Sequence, residues 1–391
     1  MRNLLFLLLS TFMLFACAPS APVQTSVTVV DSLVVVTFND TTNLYFRITA
    51  ADEAELTWDA TEGKKFNTSG RYQHKGTLVV PSQIIVDGKV YKVTSVADYA
   101  LFQQRSLTEL YFPDGIRTIG NKAVSGCDKM MKMRLPETLE TVGDEAFARC
   151  KLLRKVDIPD AVSKIGKAAM YSCRSLRKVA IPRSLIVVPE ELFSGCSSLK
   201  KVKFHNSVTT VGERAFSHCV QLEEIDFPAS VNEIKTGLFD GCNSLRRVGL
   251  SQNIKDIPMA CFYACRSLNN INLESVENIS AGAFMLCNSI EKFNLSEGLK
   301  TIGENAFASC LGIEEMRIPL SVEYIGDNAF LHCANLKNIY LLRIKPIEID
   351  SESAFPEAPC KINVPKGSVD SYQFTPKWKK FNYREYMVGK K

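Results

Sequence analysis

The sequence predicts a repeat solenoid of the α/β class, mostly β, with about eleven stacked coils of 23 residues each. Three observations carry that prediction. Ten cysteines fall at Cys127, Cys150, Cys173, Cys196, Cys219, Cys242, Cys265, Cys287, Cys310 and Cys333, spaced by 23 residues eight times and by 22 once. Apolar residues keep the same phase, such as Leu153, Val156 and Ile158 after Cys150, or Leu222, Ile225 and Phe227 after Cys219. The segment closing each coil repeats as "VGDEAFARC", "VGERAFSHC", "IGENAFASC" and "IGDNAFLHC". A fixed period in this range marks units that cannot bury an apolar face alone and do so by stacking.

The chain opens with a targeting segment, residues 1–17. Arg2 precedes the apolar run "LLFLLLSTFMLF", which is too short to span a bilayer. "LFAC", Leu14 to Cys17, resembles the lipobox of bacterial lipoproteins. That resemblance implies a lipid on Cys17 and an outer-membrane anchor, since several acyl chains hold a protein stably at a membrane. The site implied is the cell surface, with the periplasm-facing leaflet as the alternative, because "APSAPV" lacks acidic residues. Residues 18–26, rich in Ala, Pro and Ser, are expected to form a flexible tether. Residues 27–75 hold alternating runs such as "VTVVDSLVVVTF" and "LYFRITA", which read as a β-rich cap. Removing the leader takes away Arg2 alone, so the formal charge falls from +5 to +4. That is too mild for a nucleic-acid partner, and export removes nucleotide pools as well.

The repeat region is expected over residues 76–342. The pattern Leu-x-x-Val-x-Ile-Pro reads as a short strand with alternate residues buried and proline ending the ladder. Val or Ile then recurs before a glycine, at Gly143, Gly166, Gly212, Gly303 and Gly326, where a positive φ is expected. Ala-Phe-x-x-Cys should form one helical turn with all three side chains inward. "ALFQQRSLTELYFPDGIRTIG" is a full coil with Gln104 in the cysteine position, and a stretched first coil starts at Gly76. After Leu341 the phase fades, and residues 343–391 read as a lysine-rich C-terminal cap.

Taken together, Leu-x-x-Val-x-Ile-Pro followed by Val-x-x-Ile-Gly-x-x-Ala-Phe-x-x-Cys resembles the leucine-rich repeats of the BspA-like family. So do "VVPSQIIVDGKVYKVTSVADYALF", Val79 to Phe102, and "CKINVPKGSVDSYQ" with Trp378. The resemblance implies a right-handed leucine-rich-repeat superhelix and a non-catalytic role in adhesion or surface interaction. Departures are scattered: Pro189 and Pro258 stand for the glycine, Met170 for the phenylalanine, and His205 and Ser251 for the proline.

No constellation for catalysis emerges. His218 and His332 each precede a cysteine, but they lie five coils apart, roughly 24 Å at the strand spacing, and face out while the thiols face in. His74 and His205 have no evident partner. A straight cysteine column offers zinc no convergent set of four ligands, so neither a metal nor a cofactor is expected. Parallel Cβ vectors and two equivalent neighbours for each cysteine argue for reduced, buried thiols over disulfides.

The positions four, five and seven after each cysteine should face solvent. They carry Lys132 and Arg134, then Arg154 and Lys155, Arg177 and Lys178, and Lys200, Lys201 and Lys203. The next coil carries Glu223, Glu224 and Asp226, and a later one the uncharged Asn269, Asn270 and Asn272. Stacked like charges repel, so this face is expected to meet a host extracellular protein or an anionic glycan as a monomer. The alternative is a structural or scaffolding lipoprotein whose charged face serves solubility.

Overall fold

A computed structural model describes residues 19–30, 33–39, 42–58, 73–356 and 360–387. The leader with Cys17 lies outside the described residues. The chain opens with β1 (Gln24–Val30), which begins inside the segment expected to be tether, followed by β2 (Leu33–Phe38), β3 (Thr42–Ala50) and β4 (Glu53–Thr57) in an antiparallel meander. Their alternate residues Val34, Val36, Phe38, Leu44, Phe46 and Leu56 point into the core. After β5 (Gly76–Val79), β6 (Gln83–Val86) pairs antiparallel with β7 (Lys89–Val96), and β4 joins the other edge of β7 in parallel. The Gln24 side chain closes the gap between the edge strands β1 and β6. Its Nε2 donates to the Ile85 carbonyl at 2.7 Å and its Oε1 accepts from the Ile85 amide at 3.0 Å, in place of a ladder pair.

From β7 onward the chain winds through short parallel strands on two sides of each coil. One column starts with Gly76–Val79, Leu107–Tyr111 and Lys132–Arg134 and continues through Lys178–Ala180, Lys201–Lys203, Glu224–Asp226 and Arg247–Gly249. The other consists of two-residue strands such as Thr118–Ile119, Thr141–Val142 and Lys164–Ile165. The solenoid makes about 13 turns where the sequence suggests about eleven coils. Part of the difference lies in the segment expected to be an irregular cap. Lys361–Pro365 pairs in parallel with Asn338–Leu341, and Tyr383–Tyr386 then pairs with Lys361–Pro365. Stacking continues there although the sequence motif has faded. Phe355 sits 5.8 Å from Phe330 in the phenylalanine column, and Trp378 and Tyr372 seal the end.

The closing segment of each coil differs from its expected geometry. Ala-Phe-x-x-Cys forms no helical turn. Two residues per coil adopt left-handed backbone, one and five positions before the cysteine, as at Arg149 and Glu145 (φ 60° and 49°) or Ser309 and Asn305 (φ 59° and 54°). Left-handed residues interrupt an α-helix and leave consecutive tight turns. Alternate amides then turn to the next coil: Glu145 N bonds to Lys167 O at 2.9 Å, Phe147 N to Ala169 O at 2.8 Å, and Arg149 N to Tyr171 O.

The glycines seven before the cysteine likewise serve a purpose other than the positive φ expected of them. None has a positive φ. A Cβ on Gly303 would lie 2.7 Å from the Ala281 nitrogen, and one on Gly212 2.7 Å from that of Glu190. These glycines let one coil approach the last. Gly195, Gly237, Gly241 and Gly282 occupy the left-handed positions instead.

The cysteines Cys127 to Cys333 of the ladder are buried free thiols, as is Cys261. Each ladder thiol donates to a carbonyl of the preceding coil, from Cys219 Sγ to Phe193 O at 3.3 Å, and from Cys310 Sγ to Phe284 O at 3.0 Å. The cysteine is therefore a small core residue that also supplies a donor to a buried carbonyl. Beside it, the rings of Phe193, Phe216, Phe239, Phe262, Phe284, Phe307, Phe330 and Phe355 stack with centroids 5.2–5.8 Å apart.

Two expectations follow. Gly303→Ala should destabilise by about 1–3 kcal/mol through overpacking. Ser309→Gly, which relieves a left-handed residue, should be neutral or stabilise by up to about 1 kcal/mol. Chemical denaturation of both variants checks the contrast, and equal losses would overturn it.

The thiols set an alkaline limit. Burial pushes the pKa values of Cys173, Cys196, Cys219, Cys265 and Cys310 well above 9.0, and that of Cys333 to about 11. Above pH 9 an unfolded thiol ionises while its folded counterpart keeps its proton. The folded state then binds more protons, so stability falls as pH rises from 9 towards the folded values. Each thiol contributes about 1.4 kcal/mol per pH unit to that loss. Several together rival a typical total stability of about 5–15 kcal/mol. Unfolding should set in between about pH 9 and 10.5, with thiolate absorbance and circular dichroism changing together. Thiolate formation without loss of structure would contradict this.

Candidate functional site

All nine cations that the sequence places on the strand face are exposed. Alternation produces this: Met133, Val156 and Val179 point into the core, and Val202 packs against it, while their neighbours face water. The parallel register stacks Lys155 on Lys178 and Lys178 on Lys201, and it sets Ala180 beside Lys203.

The nine are not equivalent. Lys132 Nζ lies 5.0 Å from the centre of the Tyr111 ring, and its pKa is raised by interaction with that side chain. Arg134 lies 3.9 Å from Asp114, and Lys155 bonds to Asp157 at 2.7 Å. Arg154, Arg177, Lys178, Lys200, Lys201 and Lys203 have no acidic partner among the described residues. The unpaired charge therefore covers three coils, not four.

Backbone pairing draws the same boundary. Lys155, Lys178–Ala180 and Lys201–Lys203 form a sheet segment of their own. It has no ladder to Lys132–Arg134 on one side or to Glu224–Asp226 on the other. Beyond it, Arg247 turns back onto the acidic coil. Its guanidinium donates twice to Asp226 at 2.6 Å and once to Glu224 at 3.3 Å. These carboxylates, Asp226 foremost, hold the Arg247 pKa up.

Two shallow hollows flank Lys178. One, of about 420 Å³, is lined by Lys155, Lys178, Ala180, Lys201 and Lys203 with Val179 as part of its floor, and Asp157, paired with Lys155, lines its edge. It opens where the short Ala180 side chain leaves room. The other, also about 420 Å³, is lined by Arg177, Lys178, Ser198, Lys200 and Gln221. The sequence pattern of charges missed Tyr111, Asp114, Ser198 and Gln221. They lie 20 or 21 residues from cations that they meet, close to the 23-residue stacking register, and that offset is the signal that finds them.

The histidines gather no catalytic set among the described residues. His218 and His332 are exposed in left-handed turns while Cys219 and Cys333 face the core. His218 Nδ1 lies 2.7 Å from Ser217 Oγ, and His205 Nδ1 lies 3.3 Å from Ser207 Oγ. Burial lowers the pKa of His74. No group of three or more His, Cys, Asp or Glu able to hold a metal occurs among the described residues. No helix among them is long and apolar enough to cross a membrane.

A family model described as the BspA type leucine rich repeat region matches residues 94–221, 163–287, 209–337 and 255–364, a run covering more than half of the chain. Among solved structures, a leucine-rich repeat protein from Bacteroides ovatus is 22% identical with a TM-score of 0.57, covering 92% of this chain and 99% of its own. A leucine rich cell surface protein from Faecalibacterium prausnitzii is 22% identical with a TM-score of 0.56, covering 96% and 97%. At these identities the likeness shows the fold alone. No curated protein matches the sequence.

Proposed function

The chain belongs to the BspA-type leucine-rich repeat family, and from that premise we propose a non-catalytic surface lipoprotein that binds a host extracellular protein or an anionic glycan. The lipid on Cys17 would hold it at the outer membrane, and the strand face would carry the ligand. One observation supports this reading most: six cations on three successive coils stand exposed without acidic partners among the described residues. Stacking them costs repulsion that an anionic ligand would relieve. Elsewhere on this strand face the repeat does neutralise its charges, as Lys337 with Glu314 at 3.3 Å and Arg247 with Asp226 at 2.6 Å show.

Single exposed pairs gain little and salt screens them. Binding should therefore depend on several contacts at once and weaken steeply with ionic strength. The test is to screen soluble residues 20–391 against matrix proteins and sulfated glycans, then to reverse Arg154, Arg177 and Lys200 to Glu together. Binding should fall by at least about tenfold, with the melting profile unchanged. A ligand indifferent to both the reversal and salt would move the site off this face and favour a scaffold role. For the anchor, Cys17→Ala should leave the detergent phase, and a variant still partitioning there would sink the lipid assignment.

A further inference from the structure

We infer that the strand face is built for a compact cluster of phosphate or sulfate esters on a short sugar, and not for a long polyanion lying along the stack. This rests on the binding role proposed above and specifies its ligand.

The boundaries of the charge come first. In the row four residues after the cysteine, Arg154, Arg177 and Lys200 are bounded by Met131 on one side and Glu223 on the other. In the next row, Lys132 is engaged by Tyr111 before the patch, and Glu224 follows Lys201. In the third, Lys203 stands between Ala180 and Asp226, with Asp157 one coil further back. Three stacked coils span only about 10 Å between the outer rows. A polyanion extending past Lys203 would meet three carboxylates, of which Asp226 and Glu224 bind Arg247. Extending the other way it would meet cations already engaged.

The shape agrees with the charge. Each hollow, at about 420 Å³, lies at the small end of ligand sites, which run from about 300 to 1,000 Å³. Lys178 lines both. One anionic group could sit over Ala180 between Lys178, Lys201 and Lys203, away from Asp157, whose carboxylate lines the same hollow and is held by Lys155. A second could sit between Arg177, Lys178 and Lys200, where arginine offers paired donors suited to phosphate or sulfate oxygens. Ser198 and Gln221 add neutral hydrogen-bonding groups for a sugar hydroxyl.

The experiment is titration calorimetry of residues 20–391 with inositol hexakisphosphate, as a compact phosphate cluster, and with heparin-derived oligosaccharides of two, four, eight and sixteen sugars. Affinity per bound protein should rise up to about four sugars and change by less than about twofold thereafter. Lys178→Glu and Ala180→Glu should each weaken binding by about tenfold or more, while Lys132→Glu and Arg134→Glu stay within about twofold. Ala180 and Lys178 are exposed, so these variants should melt as the parent does, and Ala180→Gln separates filling of the hollow from added charge. Binding of the phosphate cluster alone or of the sulfated sugars alone supports the inference and names the ester. Affinity that keeps climbing from four to sixteen sugars, or an equal loss from Lys132→Glu, overturns it while leaving a binding face intact. So does failure of both ligands when another strand-face ligand binds. Loss of any dependence on this face, for every ligand found, overturns the binding role itself.

Discussion

Every coil must lie one strand spacing from the last, and the rest of the structure follows from that distance. The amides that close each coil bond across the gap: Gly303 N reaches Ile279 O at 2.8 Å, and Gly143 N reaches Ile119 O at 2.8 Å. Where the coils approach most closely, a Cβ seven residues before the cysteine would crowd the preceding backbone, so glycine recurs there in six coils. Lys235 and Ser280 fill the same position in two coils and keep the bond, to Val211 O at 3.0 Å and Ile257 O at 2.9 Å. The same spacing brings phenylalanine rings into contact and puts each thiol within reach of a buried carbonyl. Core composition is thus a consequence of the pitch.

Proline shows the constraint by breaking it. Pro189 and Pro258 have no amide hydrogen for the inter-coil bond. The column of two-residue strands is interrupted at these two coils, between Lys164–Ile165 and Val187–Val188 and again between Glu233–Ile234 and Asp256–Ile257. The strand face is interrupted at other places, so the stack stays joined. Where Phe293 stands in a position held by Val, Ile or Met in other coils, it packs 4.7 Å from Phe307 and 5.1 Å from Phe284, and its segment forms no strand.

These details explain which parts of the fold could be read from residues alone. The period, the inward column of Cys and Phe, and the outward cations all follow from spacing, because burial alternates with sequence position. The glycines show where such reading stops. A glycine can mean a positive φ or a close approach, and only the neighbouring coil distinguishes Gly303 from Gly282. Likewise, Ala-Phe-x-x-Cys has helical spacing, yet Glu145 and Arg149 adopt left-handed backbone that no residue preference announces. Stacking also outlives its motif: Phe355 and Lys361–Pro365 hold their places without the cysteine phase. At the surface, the list of cations was legible but their pairing was not. Asp114, Tyr111 and Asp157 change three of the nine, and each acts through a partner in the folded coil.

The division of labour between core and surface is what permits a binding site on such a scaffold. Within a strand, Val179 and Val202 are held by the core while Lys178, Ala180, Lys201 and Lys203 between them are free to vary without loss of packing. The register fixes where each outward residue lands to within one strand spacing. A solenoid can therefore write a two-dimensional array of charge from a one-dimensional sequence. Here the array is bounded by Lys132 and Arg134 on one side and by Glu224 and Asp226 on the other, all of them already engaged, and the unanswered part coincides with one sheet segment. Repulsion among those lysines opposes pairing of the strands that carry them. The face persists because the column beneath it, Cys173 to Cys219 with Phe193 and Phe216, is fully buried and holds the coils together independently of the surface.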